Sequence, residues 1–290
     1  MKSFTVIGGD KRNIALAELL CSQGYSVKLF GFEEFGVESH MQCKNLKEAI
    51  DTATYIIGPT PCSHNGVTLN TPFHGQPLYI ESVMRLMDKD QVFIAGYVKK
   101  EVYDFSSKFG IKVIDILERE ELLVLNAIPT AEGALKIAID ETDITLHDSK
   151  TMVIGYGRVG TVLSKMLAGI GSKVKVVSNT MHGIAQAKSV GLRAINFTDM
   201  NAHLSQVDII FNTVPEILLD KSNMHFLNKN VLIIDIASPP YGVDINVGLN
   251  LGLKILFAGS LPGKVAPVTT ANYMLSSINQ VIESELGVKS

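Results

Sequence analysis

Short runs of aliphatic and β-branched residues alternate with stretches of helical periodicity along the whole chain. In the first half, residues 4–7, 26–30, 53–57, 91–95 and 111–114 read as strands, each brief, apolar and bounded by glycine or polar residues. Between them, 14–21, 46–50, 80–87 and 99–109 carry apolar residues at helical spacing. The second half repeats the alternation, with strands near 151–154, 173–177, 192–196, 207–211, 231–236 and 253–257. Strands that are apolar throughout and separated by helices pair in parallel, with helices on both faces. The expectation is therefore an α/β protein with two Rossmann-like domains, each a doubly wound parallel sheet. The first spans 1–129 and the second 130–290, beginning with a linker helix over 130–140. A last helix, from Thr270 to about Leu286, is a candidate to pack back on the first domain.

Two segments interrupt this regularity. The loop from Gly58 through Pro61, Ser63, His64, Asn65 and Gly66 to Pro77 is long for a compact domain, and such loops are usually functional. It also leaves the carboxyl end of a strand, where open α/β sheets bind ligands. The second is Gly155-Tyr156-Gly157-Arg158-Val159-Gly160, which follows one strand and opens a helix expected to reach about Gly171. This is the dinucleotide fingerprint: the first glycine permits the turn, the second lets backbone approach a pyrophosphate, and the third allows close packing. The first-turn N–H groups and the helix dipole then favour phosphate.

The strand after that motif decides which dinucleotide is expected. An NAD site ends its second strand in a carboxylate that binds the ribose hydroxyls. Here the strand ends Ser178-Asn179-Thr180, with no carboxylate to repel a 2′-phosphate and with Arg158 close by in the glycine turn. NADP is the expected cofactor. The fourth and fifth strand ends of such a fold approach the nicotinamide, which makes Asn212, Thr213, Val214, Ala237 and Ser238 candidates to line it.

Composition narrows the class. The chain has 290 residues, 46% hydrophobic and 19% charged, which suits sizeable cores. Net charge is −3 with no basic run, so nucleic acid and anionic membranes are not expected partners. No signal peptide and no membrane-spanning segment is expected. Cys21, Cys43 and Cys62 lack metal spacing and read as reduced thiols of a cytoplasmic protein. No metal site is expected.

Several phrases carry a resemblance. They are Gly8-Gly9-Asp10, Asn126-Ala127-Ile128-Pro129-Thr130-Ala131-Glu132-Gly133, the glycine motif, Asn212-Thr213-Val214-Pro215, Ile234-Asp235-Ile236-Ala237-Ser238-Pro239-Pro240 and Leu261-Pro262-Gly263-Lys264-Val265-Ala266-Pro267. Together they resemble the family of dipicolinate synthase A subunits from spore-forming bacteria, nearly end to end. The resemblance implies oxidation of a dihydrodipicolinate-type intermediate to dipicolinate, pyridine-2,6-dicarboxylate. It also implies a partner, the smaller, flavoprotein-like B subunit of dipicolinate synthase, in the sporulating mother cell. The expected ligands are NADP and a small dicarboxylate, and a homo-oligomer is expected.

Under that reading the chemistry needs a proton acceptor and groups for two carboxylates. Lys264 is the only charge on a loop fixed by prolines and suits an anion. His64 on the long loop and Glu132 at the start of the linker helix are the other candidate catalytic groups. Arg12, Thr60, Ser63, Asn65 and Thr130 are candidate substrate ligands, Arg12 bidentately and Thr130 beside helix N–H groups. Each has an ordinary alternative: Thr130 as helix N-cap, Glu132 as dipole partner, His64 and Lys264 as solvated side chains. Two other functions compete with this one. A D-2-hydroxyacid dehydrogenase would share the two-domain plan, but its arginine and histidine are missing, since no Arg follows Arg193 and no His follows His225. A catalytically silent NADP-binding protein would need no dicarboxylate site at all.

Overall fold

The computed structural model describes residues 2–36, 41–284 and 287. The chain divides into two compact units, residues 1–125 with 266–290, and residues 126–265. The first contains β1 (Ser3–Ile7), α1 (Lys11–Ser22), β2 (Ser26–Phe30), α2 (Leu46–Ile50), β3 (Tyr55–Ile57), α3 (Ile80–Leu86), β4 (Val92–Ala95), α4 (Lys100–Phe109) and β5 (Lys112–Asp115). Its sheet is parallel in the order β2-β1-β3-β4-β5. The strand order reverses beside β1, which puts a topological switch point between β1 and β3. Alternate side chains leave opposite faces. Phe4, Val6, Tyr55, Ile57, Val92 and Ile94 pack on one side, and Ile7, Ile56, Phe93 and Ala95 on the other.

α5 (Glu120–Asp140) follows, and the second unit continues with β6 (Lys150–Ile154), α6 (Arg158–Gly169), β7 (Lys173–Ser178), α7 (Met181–Ser189), β8 (Arg193–Asn196), β9 (Ile209–Asn212), β10 (Leu232–Asp235), α8 (Ile245–Asn250), β11 (Lys254–Phe257) and α9 (Leu261–Val265). The parallel order β11-β10-β9-β6-β7-β8 is that of the dinucleotide-binding fold, with its switch point between β6 and β9. The two doubly wound sheets expected from the sequence are both present. α10 (Pro267–Ser284) belongs to the first unit. Its Ala271, Met274, Leu275, Ile278, Val281 and Ile282 form a helical stripe buried with Ile14, Leu16 and Leu20 of α1. Leu286, the end expected for this helix, lies outside the described residues.

Three expectations are corrected. The linker helix begins at Glu120, ten residues before the position read from the sequence, and Pro129 lies inside it. Proline reads as a boundary because it lacks the N–H and disfavours helix in the residue before it. Here the helix continues, and the Thr130 hydroxyl donates to the Asn126 carbonyl at 2.7 Å, one turn back. Thr130 is thus interior and not an N-cap, and Glu132 is not in the first turn. Second, the tract 261–265 is a short helix and not a loop. Third, α5 is long and apolar enough by length and composition to cross a membrane, with mean hydropathy 1.5, where the sequence reading expects no such segment. Its apolar residues have a packing role: Leu122 lies in one core, and Ala131, Ala134 and Ala138 in another.

Candidate functional site

The second unit places its glycine motif at the carboxyl end of β6. Gly155 has φ +98°, and its N–H donates to the Val177 carbonyl at 2.9 Å, tying the turn to the end of β7. A Cβ on Gly155 would come within 2.3 Å of Thr213 Oγ1, and one on Gly160 within 2.1 Å of the Gly155 carbonyl oxygen. Both positions require glycine for close packing. Gly157 differs: a Cβ there would meet nothing within 4 Å. Gly157 is the N-cap of α6, and no side chain caps the helix. The N-terminus of this twelve-residue helix therefore has open space beside Gly157 and no side-chain cap. Tyr156 and Val159 are half-buried beside them and Arg158 is exposed. Burial pushes the Tyr156 phenol upward.

At the end of β7, Ser178 is buried against Gly183, whose Cβ would lie 2.5 Å from the serine hydroxyl. Thr180 is the N-cap of α7, its hydroxyl accepting from Gly183 N–H at 3.0 Å. These two of the three polar residues serve the turn itself. Asn179 is exposed, and its side chain makes no hydrogen bond among the described residues.

The ends of β9 and β10 form a buried lattice. Asn212 is fully buried and donates to Asp235 Oδ1 and to the Val214 carbonyl, both at 2.9 Å. Asp235, also fully buried, accepts from Ala237 N–H at 3.1 Å and Gly242 N–H at 2.8 Å. Thr213 donates to the Ile154 carbonyl at 2.9 Å and packs behind Gly155. Asn212 and Thr213 therefore shape the walls of the glycine turn from behind. Val214 is half-buried with a methyl against Gly155, Ala237 is buried and Ser238 exposed. Asp235 is a residue that sequence reasoning missed, although an acid ending the apolar run Val231-Leu232-Ile233-Ile234 is its signal. Tyr241 follows with φ +69°, a left-handed conformation that suits a small residue better than tyrosine, and its ring leans on Phe257 at 4.6 Å. Lys264 is exposed on α9, whose Leu261 packs against Gly133 of α5. Glu132 is exposed.

The first unit closes the equivalent turn. Gly8 N–H donates to the Phe30 carbonyl at 2.9 Å, as Gly155 does to Val177. Gly9 N–H, however, is bonded to the Asn70 carbonyl of the long loop at 2.9 Å, and Thr71 lies against Gly8. Asp10 caps α1, accepting from Arg12 N–H at 3.0 Å, and pairs bidentately with the Arg12 guanidinium at 2.9 and 2.8 Å. Arg12 is only 5% exposed and also donates to the Thr60 carbonyl. The carboxylate that Arg12 was expected to hold is thus its own neighbour's, and an external one would have to displace Asp10. Ser63 and Asn65 organise the loop: Ser63 accepts from Gly66 N–H and donates to the Thr68 carbonyl, and Asn65 accepts from Val67 and Thr68 N–H. His64 is exposed, and its ring makes no hydrogen bond among the described residues. Thr60 Oγ1 and Asn13 Oδ1 are buried without hydrogen-bond partners among the described residues. His64 lies on the long loop of the first unit, and Glu132 and Lys264 lie on α5 and α9 of the second.

An uncapped helix facing an open glycine turn, on the switch-point sheet, fits a dinucleotide. The chain is of the dehydrogenase type: two Rossmann-like units, the second with a glycine turn that fits a dinucleotide. Sequence comparison agrees. The family model for the N-terminal domain of the dipicolinate synthase A subunit matches residues 3–117, and the model Shikimate / quinate 5-dehydrogenase matches 136–250. The A subunit of dipicolinate synthase from Bacillus subtilis (strain 168) is 28% identical over 284 residues, 96% of this chain and 94% of that protein. The crystal structure of the same polypeptide of dipicolinate synthase from Bacillus subtilis matches with a TM-score of 0.86 at 26% identity, over 99% of this chain and 97% of that one. The corresponding structure from Bacillus halodurans matches with 0.85 at 26% identity, over 96% of each chain. The chain is similar to the A subunit of dipicolinate synthase along nearly its entire length, as its motifs indicate.

Proposed function

We propose that the chain is the dehydrogenase-type component of a dipicolinate-forming enzyme, oxidising a dihydrodipicolinate-type intermediate with NADP in concert with the synthase's B subunit. The observation that carries this reading is the uncapped, open N-terminus of α6 in a chain that matches the dipicolinate synthase A subunit end to end. Gly155, Tyr156, Gly157, Arg158, Val159 and Gly160 would hold the pyrophosphate, while Val214, Ala237 and Ser238 would border the nicotinamide half. Held by these residues, a nicotinamide would supply a two-electron hydride acceptor, and oxidation of the dihydro ring would also require loss of one proton as the ring becomes aromatic. NADP is favoured because no carboxylate ends β7; Asn179 and Arg158 are the groups for the 2′-phosphate. For the dicarboxylate, Lys264 of the second unit is the proposed ligand. The setting implied is the mother-cell cytoplasm during sporulation.

A second reading has its own support. Within the second unit Glu132 and Lys264 are both exposed, and no hydrogen bond joins them among the described residues. A silent nucleotide-binding component would look this way. The deciding experiment follows pyridine absorbance from the dihydro precursor, with the chain alone and with its B subunit, in NADP or NAD. Formation that requires this chain and prefers NADP supports the oxidoreductase. Tight NADP binding with no gain over the spontaneous reaction supports the silent component.

A further inference from the structure

One face of the first unit carries an apolar hollow that the fold leaves uncovered. α3 and α4 follow neighbouring strands of the parallel sheet and bury their inner stripes, Ile80, Val83 and Met84 with Val102, in one core. On the outer side lies a hollow of about 400 Å³ lined by Val67, Tyr79, Leu86 and Phe105, with Glu81 and Arg85 at its rim. Val67, Tyr79 and Leu86 are 47%, 53% and 37% exposed. Single exposed apolar side chains are ordinary, whereas several gathered in one hollow with a polar rim mark a surface that another molecule covers.

The charges around the hollow identify what covers it. Both helices begin with an acid and end with a base, Glu81 and Arg85 on α3, Glu101 and Lys108 on α4. Their first turns lie together. Ile80 N–H donates to the Val67 carbonyl at 3.0 Å, and a Cβ on Gly66 would come within 3.0 Å of the Glu101 side chain. Their last turns also lie together, with Arg85 Cζ 5.9 Å and Lys108 Nζ 5.4 Å from the centre of the Phe109 ring. Arg85 and Lys108 share a single carboxylate, Glu81, at 3.2 and 2.9 Å, so that end keeps an excess of positive charge. Glu101, at the other end, is exposed and has no ion pair among the described residues. Glu101, Phe105 and Lys108 form one stripe at helical spacing, and Lys100 lies about 100° round the helix from it. The face is therefore negative at one end, apolar in the middle and positive at the other end. Rotation about a two-fold axis through its middle makes such a face complementary to itself.

We propose that this face pairs two copies of the chain, α3 and α4 packing antiparallel on the same helices of the second copy. Glu101 of each copy then stands opposite Lys108 of the other, and Val67, Tyr79, Leu86 and Phe105 are covered between them. The apolar residues supply the affinity, and the charges fix the direction of packing. The pairing is independent of the reaction proposed above.

Sedimentation velocity of the full chain reads the assembly, and the charges supply a test that only a two-fold face passes. Wild type is expected to sediment as a dimer at about 10 μM. Glu101→Lys and Lys108→Glu each create two like-charged pairs in a homodimer and should weaken it about tenfold or more. An equimolar mixture of the two variants has opposite charges at both positions, so it should re-form a dimer within about threefold of wild-type affinity. Both side chains are exposed, and melting temperatures close to wild type will show that the variants fold. A wild-type chain that stays monomeric at about 100 μM overturns the proposal. So does a dimer that neither variant weakens, or a mixture that stays monomeric. A monomeric wild type whose binding to the B subunit is lost in both variants also overturns it and gives the face to that subunit.

Discussion

The two units carry the same turn at the end of their first strand and use it in opposite ways. Gly8 and Gly155 make equivalent bonds to the neighbouring strand, through Phe30 and Val177. Beyond that the two diverge. In the first unit a carboxylate of the chain itself, Asp10, occupies the N-terminus of α1, Arg12 compensates its charge, and Asn70 takes the Gly9 N–H. In the second, Gly157 leaves the N-terminus of α6 uncapped with open space beside it. A helix N-terminus attracts an anion in both cases, and the difference is whether the sequence supplies one. A few residues at one turn therefore decide whether the chain itself fills the helix N-terminus or leaves it open. Beneath both turns lies a parallel sheet with a switch point beside its first strand.

That contrast can be broken from either side. The largest effect is expected from Gly160→Leu, because even its Cβ would overlap the Gly155 carbonyl. Thermal unfolding should show a loss of about 3 kcal/mol or more, with nucleotide binding abolished. Asp10→Ala removes the cap of α1 and leaves the buried Arg12 guanidinium without its carboxylate. A loss of roughly 2–3 kcal/mol is expected by denaturant titration, with NADP affinity unchanged because that turn holds no nucleotide. A smaller effect should follow Asn179→Asp, which supplies the carboxylate missing at the end of β7. It should weaken NADP and strengthen NAD, shifting their ratio by about tenfold or more in calorimetric titrations. Unchanged preference would remove Asn179 from 2′-phosphate recognition.

The sheets are legible in the sequence because apolar strand runs and helical stripes are periodic, and periodicity survives without tertiary knowledge. Gly155, Gly157 and Gly160 are legible for a different reason: three backbone demands fix three glycines at a set spacing. The start of α5 is not, since Pro129 normally marks a helix boundary and this helix runs through it. The partners of polar side chains are also hidden. Ser178 and Thr180 look like ribose ligands in sequence, yet one is buried in the turn and the other caps α7. Arg12 looks like a carboxylate ligand and is one, for Asp10. The ends of β5 and β10 hide the roles of Asp115 and Asp235, each accepting bonds from the loop after its strand, because an acid at a strand end resembles an ordinary turn residue.

Whether the open turn of α6 is the nucleotide site is tested most directly by Gly157→Asp. Space around Gly157 and its φ of −87° accept a side chain, so the fold should survive. The new carboxylate would cap α6 as Asp10 caps α1, leaving the melting temperature level or raised by the equivalent of ~1 kcal/mol. Calorimetric titration with NADP should show one nucleotide per wild-type chain and binding weakened about a hundredfold or more in the variant, because like charges would meet at the pyrophosphate. Wild-type affinity in a well-folded Gly157→Asp chain would place the nucleotide elsewhere and contradict the account.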